Sequence, residues 1–212
     1  MTYQCVTTSI AGFIQQLAVG YCTKGYHFYV RGTIPPGKDP ARVDAKLVAR
    51  YGVDLSYATR SRRKQHGVAS VQYVRYKDLF ILIATHGVHR FFDEEQASIQ
   101  DNRHTPIAVF GYAISHRHGH VCVRIARRPY AQLKQRFLAR VAYDTTAELE
   151  AALRRLPYQP YAPIRSQLLC LLRVINRRRR ACGLPLLADD CMPLRRWSVR
   201  PFGTTQHPAH AA

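Results

Sequence analysis

At 212 residues and 47% hydrophobic, the chain can bury a core, which excludes wholesale disorder. No apolar run approaches the roughly 18–20 residues of a membrane-spanning helix. A net charge of +19 speaks of partners rather than fold. It favours a polyanion, and the interleaving of basic with aromatic residues favours nucleic acid over an anionic membrane. The N-terminus lacks a basic region leading into a long apolar block, so no signal peptide is expected. The six cysteines, Cys5, Cys22, Cys122, Cys170, Cys182 and Cys191, form no C-x-x-C pair. Their spacing does not suit a zinc site and predicts free thiols in a reducing cytoplasm.

Residues 9–22 place Ile10, Phe13, Ile14, Leu17, Ala18 and Tyr21 on one helical face. Thr8 or Ser9 would cap this helix and Gly25 would stop it. Residues 26–31 then read as a strand. The stretch Gly32 to Lys38 fits G-x-x-x-x-G-K. Asp39 stands where a phosphate loop needs a hydroxyl, and Pro35 and Pro36 remove amide donors. The better reading makes Asp39 the cap and Pro40 the first residue of a helix that Gly52 ends after Tyr51.

Between Asp54 and Asp78 there is no acidic residue, while Arg60, Arg62, Arg63, Lys64 and His66 crowd together. That segment is expected to be a phosphate-contacting loop. Residues 70–84 predict a hairpin turning at Lys77-Asp78, with Tyr73 or Tyr76 as candidate stacking surfaces. Its second strand, the apolar run 79–84, should lie deep in a sheet. The acids Asp93, Glu94, Glu95 and Asp101 read as surface counter-charge. Ile107–Ser115 and His120–Arg127 predict a second hairpin, with His118-Gly119 as a two-residue turn.

Helices follow from Pro129 to about Ala142, and from a capping box at Thr145 and Glu148 to Leu156. After a connector containing Pro157, Pro160 and Pro163, a helix from Pro163 to about Cys182 carries Ile164, Leu168, Leu171, Leu172 and Ile175 inward. It ends in Arg177, Arg178, Arg179 and Arg180, more cations than helix capping needs, and so a second phosphate-contact site.

These elements predict an α+β fold: a mostly antiparallel sheet of about five strands, with helices packed on one face and a helical, basic C-terminal extension. The expected division is a core over 1–156, a proline-linked basic extension over 157–202 and a disordered tail over 203–212.

The segment Ser115-His116-Arg117-His118-Gly119-His120 holds three of the ten histidines. His118-Gly119-His120 followed by Val121-Cys122-Val123 locally resembles the metal-binding histidine pair of the HUH endonucleases, which include rolling-circle initiators, relaxases and single-strand transposases. In that family a bulky apolar residue separates the two histidines on a strand. The pair holds a divalent cation, and a tyrosine on a following helix attacks a DNA phosphate. Here the middle residue is Gly. The resemblance implies His118 and His120 as ligands for Mg or Mn, because alternate strand residues face one way. The strand climbs about 23 Å and a returning helix rises about 1.5 Å per residue, so the candidate nucleophile is Tyr143 rather than Tyr130. If His118-Gly119 form the turn itself, the three histidines are instead a polar, basic tip.

Three readings stand at this point. The first is a DNA- or RNA-binding protein that contacts phosphates through residues 60–64 and 177–180. The alternative is a metal-dependent single-strand nickase of the kind carried by mobile elements. The third is a basic subunit of a larger nucleoprotein assembly.

Overall fold

The structure, a computed structural model, describes residues 3–202, so the tail expected over 203–212 lies outside the described residues. It begins with α1 (Ile10–Gln15), which continues as a π-helical segment (Gln16–Tyr21) and a 3-10 turn (Cys22–Lys24). Then come β1 (Phe28–Thr33), α2 (Pro40–Tyr51), α3 (Tyr57–Gln65), β2 (Val71–Tyr76), β3 (Leu79–Ala84), α4 (Arg90–Glu94) and β4 (Gln100–Asp101). The rest comprises β5 (Ile107–Val109), β6 (Tyr112–Arg117), β7 (His120–Ile125), α5 (Arg127–Arg140), α6 (Thr146–Arg154) and α7 (Ala162–Ala181). The described residues fall into two compact units: 3–107, 114–121 and 198–202 in one, Ala108–Ala113 and Cys122–Trp197 in the other. No helix among the described residues is long and apolar enough to cross a membrane.

The first unit is built on an antiparallel sheet in the order β2-β3-β1-β4. Lys77-Asp78 turns β2 into β3, pairing Tyr76 with Leu79 and Val71 with Ala84. Alternation sends Val30, Val71, Tyr73, Leu82 and Ala84 into one core with Tyr51, Val53 and Phe91. Tyr29, Gln72, Val74, Ile81 and Ile83 point the other way, where Phe13, Ile14, Leu17 and Tyr21 are buried. Helices therefore cover both faces of this sheet rather than the one anticipated. The continuous apolar run of β3 is the reason: Ile81, Leu82, Ile83 and Ala84 are all buried, and so must be covered from both sides. The α+β, antiparallel class holds, with seven strands in two sheets among the described residues.

Asp39 caps α2 by accepting from the Ala41 amide at 2.9 Å, and Pro40 occupies its first turn. Gly32, which opens the G-x-x-x-x-G-K pattern, lies in β1 opposite Phe80. The Phe80 ring fills the space a Cβ would take there. The predicted loop at 55–68 is instead the helix α3, started by the Ser56 hydroxyl accepting from the Thr59 amide.

Gly87 (φ 136°) passes against the 67–69 backbone, where an added Cβ would meet the Gly67 oxygen at 2.5 Å and the Ala69 nitrogen at 2.6 Å. Gly87→Ala is expected to cost about 2–3 kcal/mol. The check is a lowered denaturant midpoint at unchanged slope.

In the second unit, α5, α6 and α7 bury Leu133, Phe137, Val141, Leu149, Leu153, Ile164, Leu168, Leu171, Leu172 and Ile175. The capping box of Thr145 and Glu148 forms as expected. Tyr130 donates its hydroxyl hydrogen to the Gln167 carbonyl at 2.9 Å, a structural role. Residues 198–202, assigned to the extension by the sequence, belong to the first unit. There Val199 exchanges two hydrogen bonds with the Gln15 carboxamide beside α1.

Candidate nucleic-acid interface

None of the residues of α3 is buried. Its sequence, YATRSRRKQ, holds four cations and no acid. The six ion pairs among the described residues are Arg42–Asp39, Arg50–Glu94, Arg75–Asp44, Arg103–Asp101, Arg140–Asp144 and Arg154–Glu150. None involves Arg60, Arg62, Arg63 or Lys64. Of the acids predicted as counter-charge, Glu94 pairs with Arg50 and Asp101 with Arg103, while Glu95 accepts from the Tyr51 hydroxyl. Within α3 the spacings Arg60–Arg63 and Arg60–Lys64 set like charges on one face, which costs the isolated helix a few tenths of a kcal/mol.

Beside α3 lies a concavity of about 400 Å³. Lys24, Arg60 and Lys64 are among its lining residues, none of which is acidic. Its deeper wall is polar. Gln72 is only 5% exposed, and Ser70, Tyr21 and Tyr26 are buried. The Tyr3 hydroxyl lies 3.3 Å from Gln72 Oε1 and 3.5 Å from the Tyr21 hydroxyl. Burial pushes the phenols of Tyr21 and Tyr26 above their ordinary range, with the Arg60 charge pulling down on both. They therefore remain neutral hydroxyls and do not cancel the cations. The π-helical segment supplies Gln16, Gly20 and Tyr21 to this wall. A Cβ at position 20 would lie 2.8 Å from the Gln16 carboxamide, so glycine makes room for that side chain. Such widened helical turns recur at functional sites.

At the lip stands Tyr57, 79% exposed and the one aromatic of α3. Tyr73, expected as a stacking surface, is fully buried, and its hydroxyl donates to Asp44 at 2.5 Å. The sequence pointed to strand tyrosines because their helical counterpart could not be placed without first seeing that α3 is a helix.

The second predicted cluster divides. Arg177, Arg178 and Arg180 are exposed, but Arg179 turns inward and is 2% exposed. Its Nη1 donates to the Val141 and Asp144 carbonyls at 3.1 Å each, its Nη2 to Thr146 Oγ1 at 3.1 Å, and its Nε to the Pro185 carbonyl. With its donors spent on the fold, Arg179 is removed from the phosphate-contacting set. A concavity of the second unit carries Arg136, Arg140 and Arg155, but Glu148 also lines it and Arg140 is paired with Asp144.

His118 (φ 50°) and Gly119 (φ 79°) form the two-residue turn, as the Gly after His suggested. His118 thus lies in the turn and His120 opens β7, so strand alternation does not aim the two imidazoles at a common ion. Among the described residues no group of three or more His, Cys, Asp and Glu is placed to hold a metal. His116 packs edge-on to His27 at 4.6 Å, and His27 Nδ1 lies 3.3 Å from the Oδ1 of buried Asn102. Burial holds His27 below the ordinary imidazole range. Tyr143, 87% exposed just beyond α5, belongs to the second unit, while His118 and His120 belong to the first.

The chain matches no family model and no curated protein.

Proposed function

We propose that this protein binds nucleic acid through its phosphate backbone, using Arg60, Arg62, Arg63 and Lys64 on α3, with Arg177, Arg178 and Arg180 of α7 as further contacts. One observation carries the reading: no residue of α3 is fully buried and none of its cations is paired with a carboxylate. A helix with no fully buried side chain draws little stability from a core, and here its like charges repel. A row of phosphates would relieve that repulsion and release counterions as it bound. The six cysteines are unpaired, which suits a reducing cytoplasm, and that compartment is part of the proposal.

The test is fluorescence anisotropy with short labelled single strands and duplexes of DNA and RNA across about 50–300 mM salt. Affinity should fall steeply with salt. Changing Arg60, Arg62, Arg63 and Lys64 together to Gln should flatten the slope of log affinity against log salt by about 3. An unchanged slope in that variant, or binding indifferent to salt, would overturn the proposal.

A further inference from the structure

We infer that the concavity beside α3 accepts one unstacked nucleotide of a bound single strand, with Lys24, Arg60 and Lys64 holding its phosphate and Tyr57 stacking on its base. The inference rests on the proposed nucleic-acid binding and adds what is bound and how. At about 400 Å³ the pocket falls within the roughly 300–1,000 Å³ of sites that enclose one small molecule. Its chemistry is divided as a nucleotide's is. The cations Lys24, Arg60 and Lys64 come from the 3-10 turn and α3, and the neutral donors and acceptors Tyr26, Ser70, Gln72 and Thr85 come from the strands and their flanks. Phosphate needs the first, and the polar edge of a base needs the second.

In a duplex those base edges are paired and the rings stacked, so the wall could meet only a base that has left the stack. That selects a single strand over a double helix. The exposed ring of Tyr57 has no core to serve, and it sits among the cations whose phosphates would bring bases within reach. Aromatic rings interleaved with cations are the usual means of holding single strands without sequence preference.

The experiment uses the full chain with a labelled single strand, the same strand carrying abasic sites, and a duplex of equal phosphate count. Because Tyr57 is exposed, Tyr57→Ala should fold normally. It should weaken the single strand about tenfold, leave the duplex and both salt slopes unchanged, and lose its effect on the abasic strand. Tyr57→Phe should restore binding. Lys24→Ala should lower the single-strand salt slope by about one. Equal losses on strand and duplex, or no loss in Tyr57→Ala, would overturn this inference while leaving backbone binding intact. If the unmodified protein binds neither strand nor duplex at low salt, the proposed function falls and the pocket reading with it.

Discussion

Asp44→Ala should lose about 3–5 kcal/mol, enough to leave the first unit largely unfolded at moderate temperature. Asp44 accepts from Arg75 Nε at 2.8 Å and Nη2 at 2.7 Å, and from the Tyr73 hydroxyl at 2.5 Å. The two charged side chains are 11% and 10% exposed. Removing the carboxylate leaves a guanidinium and a phenol facing a gap that water barely reaches. An unpaired buried charge costs far more than the pair contributes. The control is Asp44→Leu combined with Arg75→Met, which removes both charges and should recover most of the loss. Thermal and denaturant unfolding of Asp44→Leu, Arg75→Met and the two combined form a cycle that isolates the coupling. If Asp44→Ala unfolds like the parent chain, the pair does not hold α2 to β2.

Arg179→Met should cost about 3 kcal/mol and leave the salt dependence of nucleic-acid binding unchanged. The methionine keeps much of the stem's packing but strips the donors from the carbonyls of Val141, Asp144 and Pro185 and from the Thr146 hydroxyl. Those acceptors follow α5, open α6 and follow α7, so one guanidinium ties three chain segments together. Arg178→Gln should do the reverse, lowering the salt slope by about one with little change in stability. Measured side by side, the two variants separate a cation that holds the fold from a neighbour that faces solvent. A salt slope that falls in Arg179→Met would contradict its burial.

Much of this architecture was legible in the chain. The caps at Asp39 and Thr145, the stop at Gly52 and the inward stripe of the last long helix follow from short-range chemistry, and they formed as read. What escaped depended on longer-range or unusual features. The turn at Phe110-Gly111 splits an expected single strand in two, and it was hidden because an aromatic residue at φ 48° is rare. Segment 57–65 has no apolar period, so nothing in its pattern distinguishes helix from loop. The π-helical turn leaves the apolar spacing of residues 10–21 nearly unchanged. Within the cluster at 177–180, Arg179 falls four residues after Ile175 and so continues the inward stripe, a phase that reading the four arginines as one charged block passed over. As for the interface, the charge was readable from composition, but the polar pocket wall gathers residues from 16 to 85 and exists only once the sheet has formed.

The first unit is discontinuous in the chain. It takes residues up to 107, then 114–121, then 198–202. Domains that are one stretch of sequence can finish folding as they leave the ribosome, in order of synthesis. This one cannot. The flank of α1 waits for Val199, by which time the whole of Cys122–Trp197 has already emerged. The part made first is completed last, and a chain stalled before Ser198 carries an N-terminal unit that lacks its closing strap.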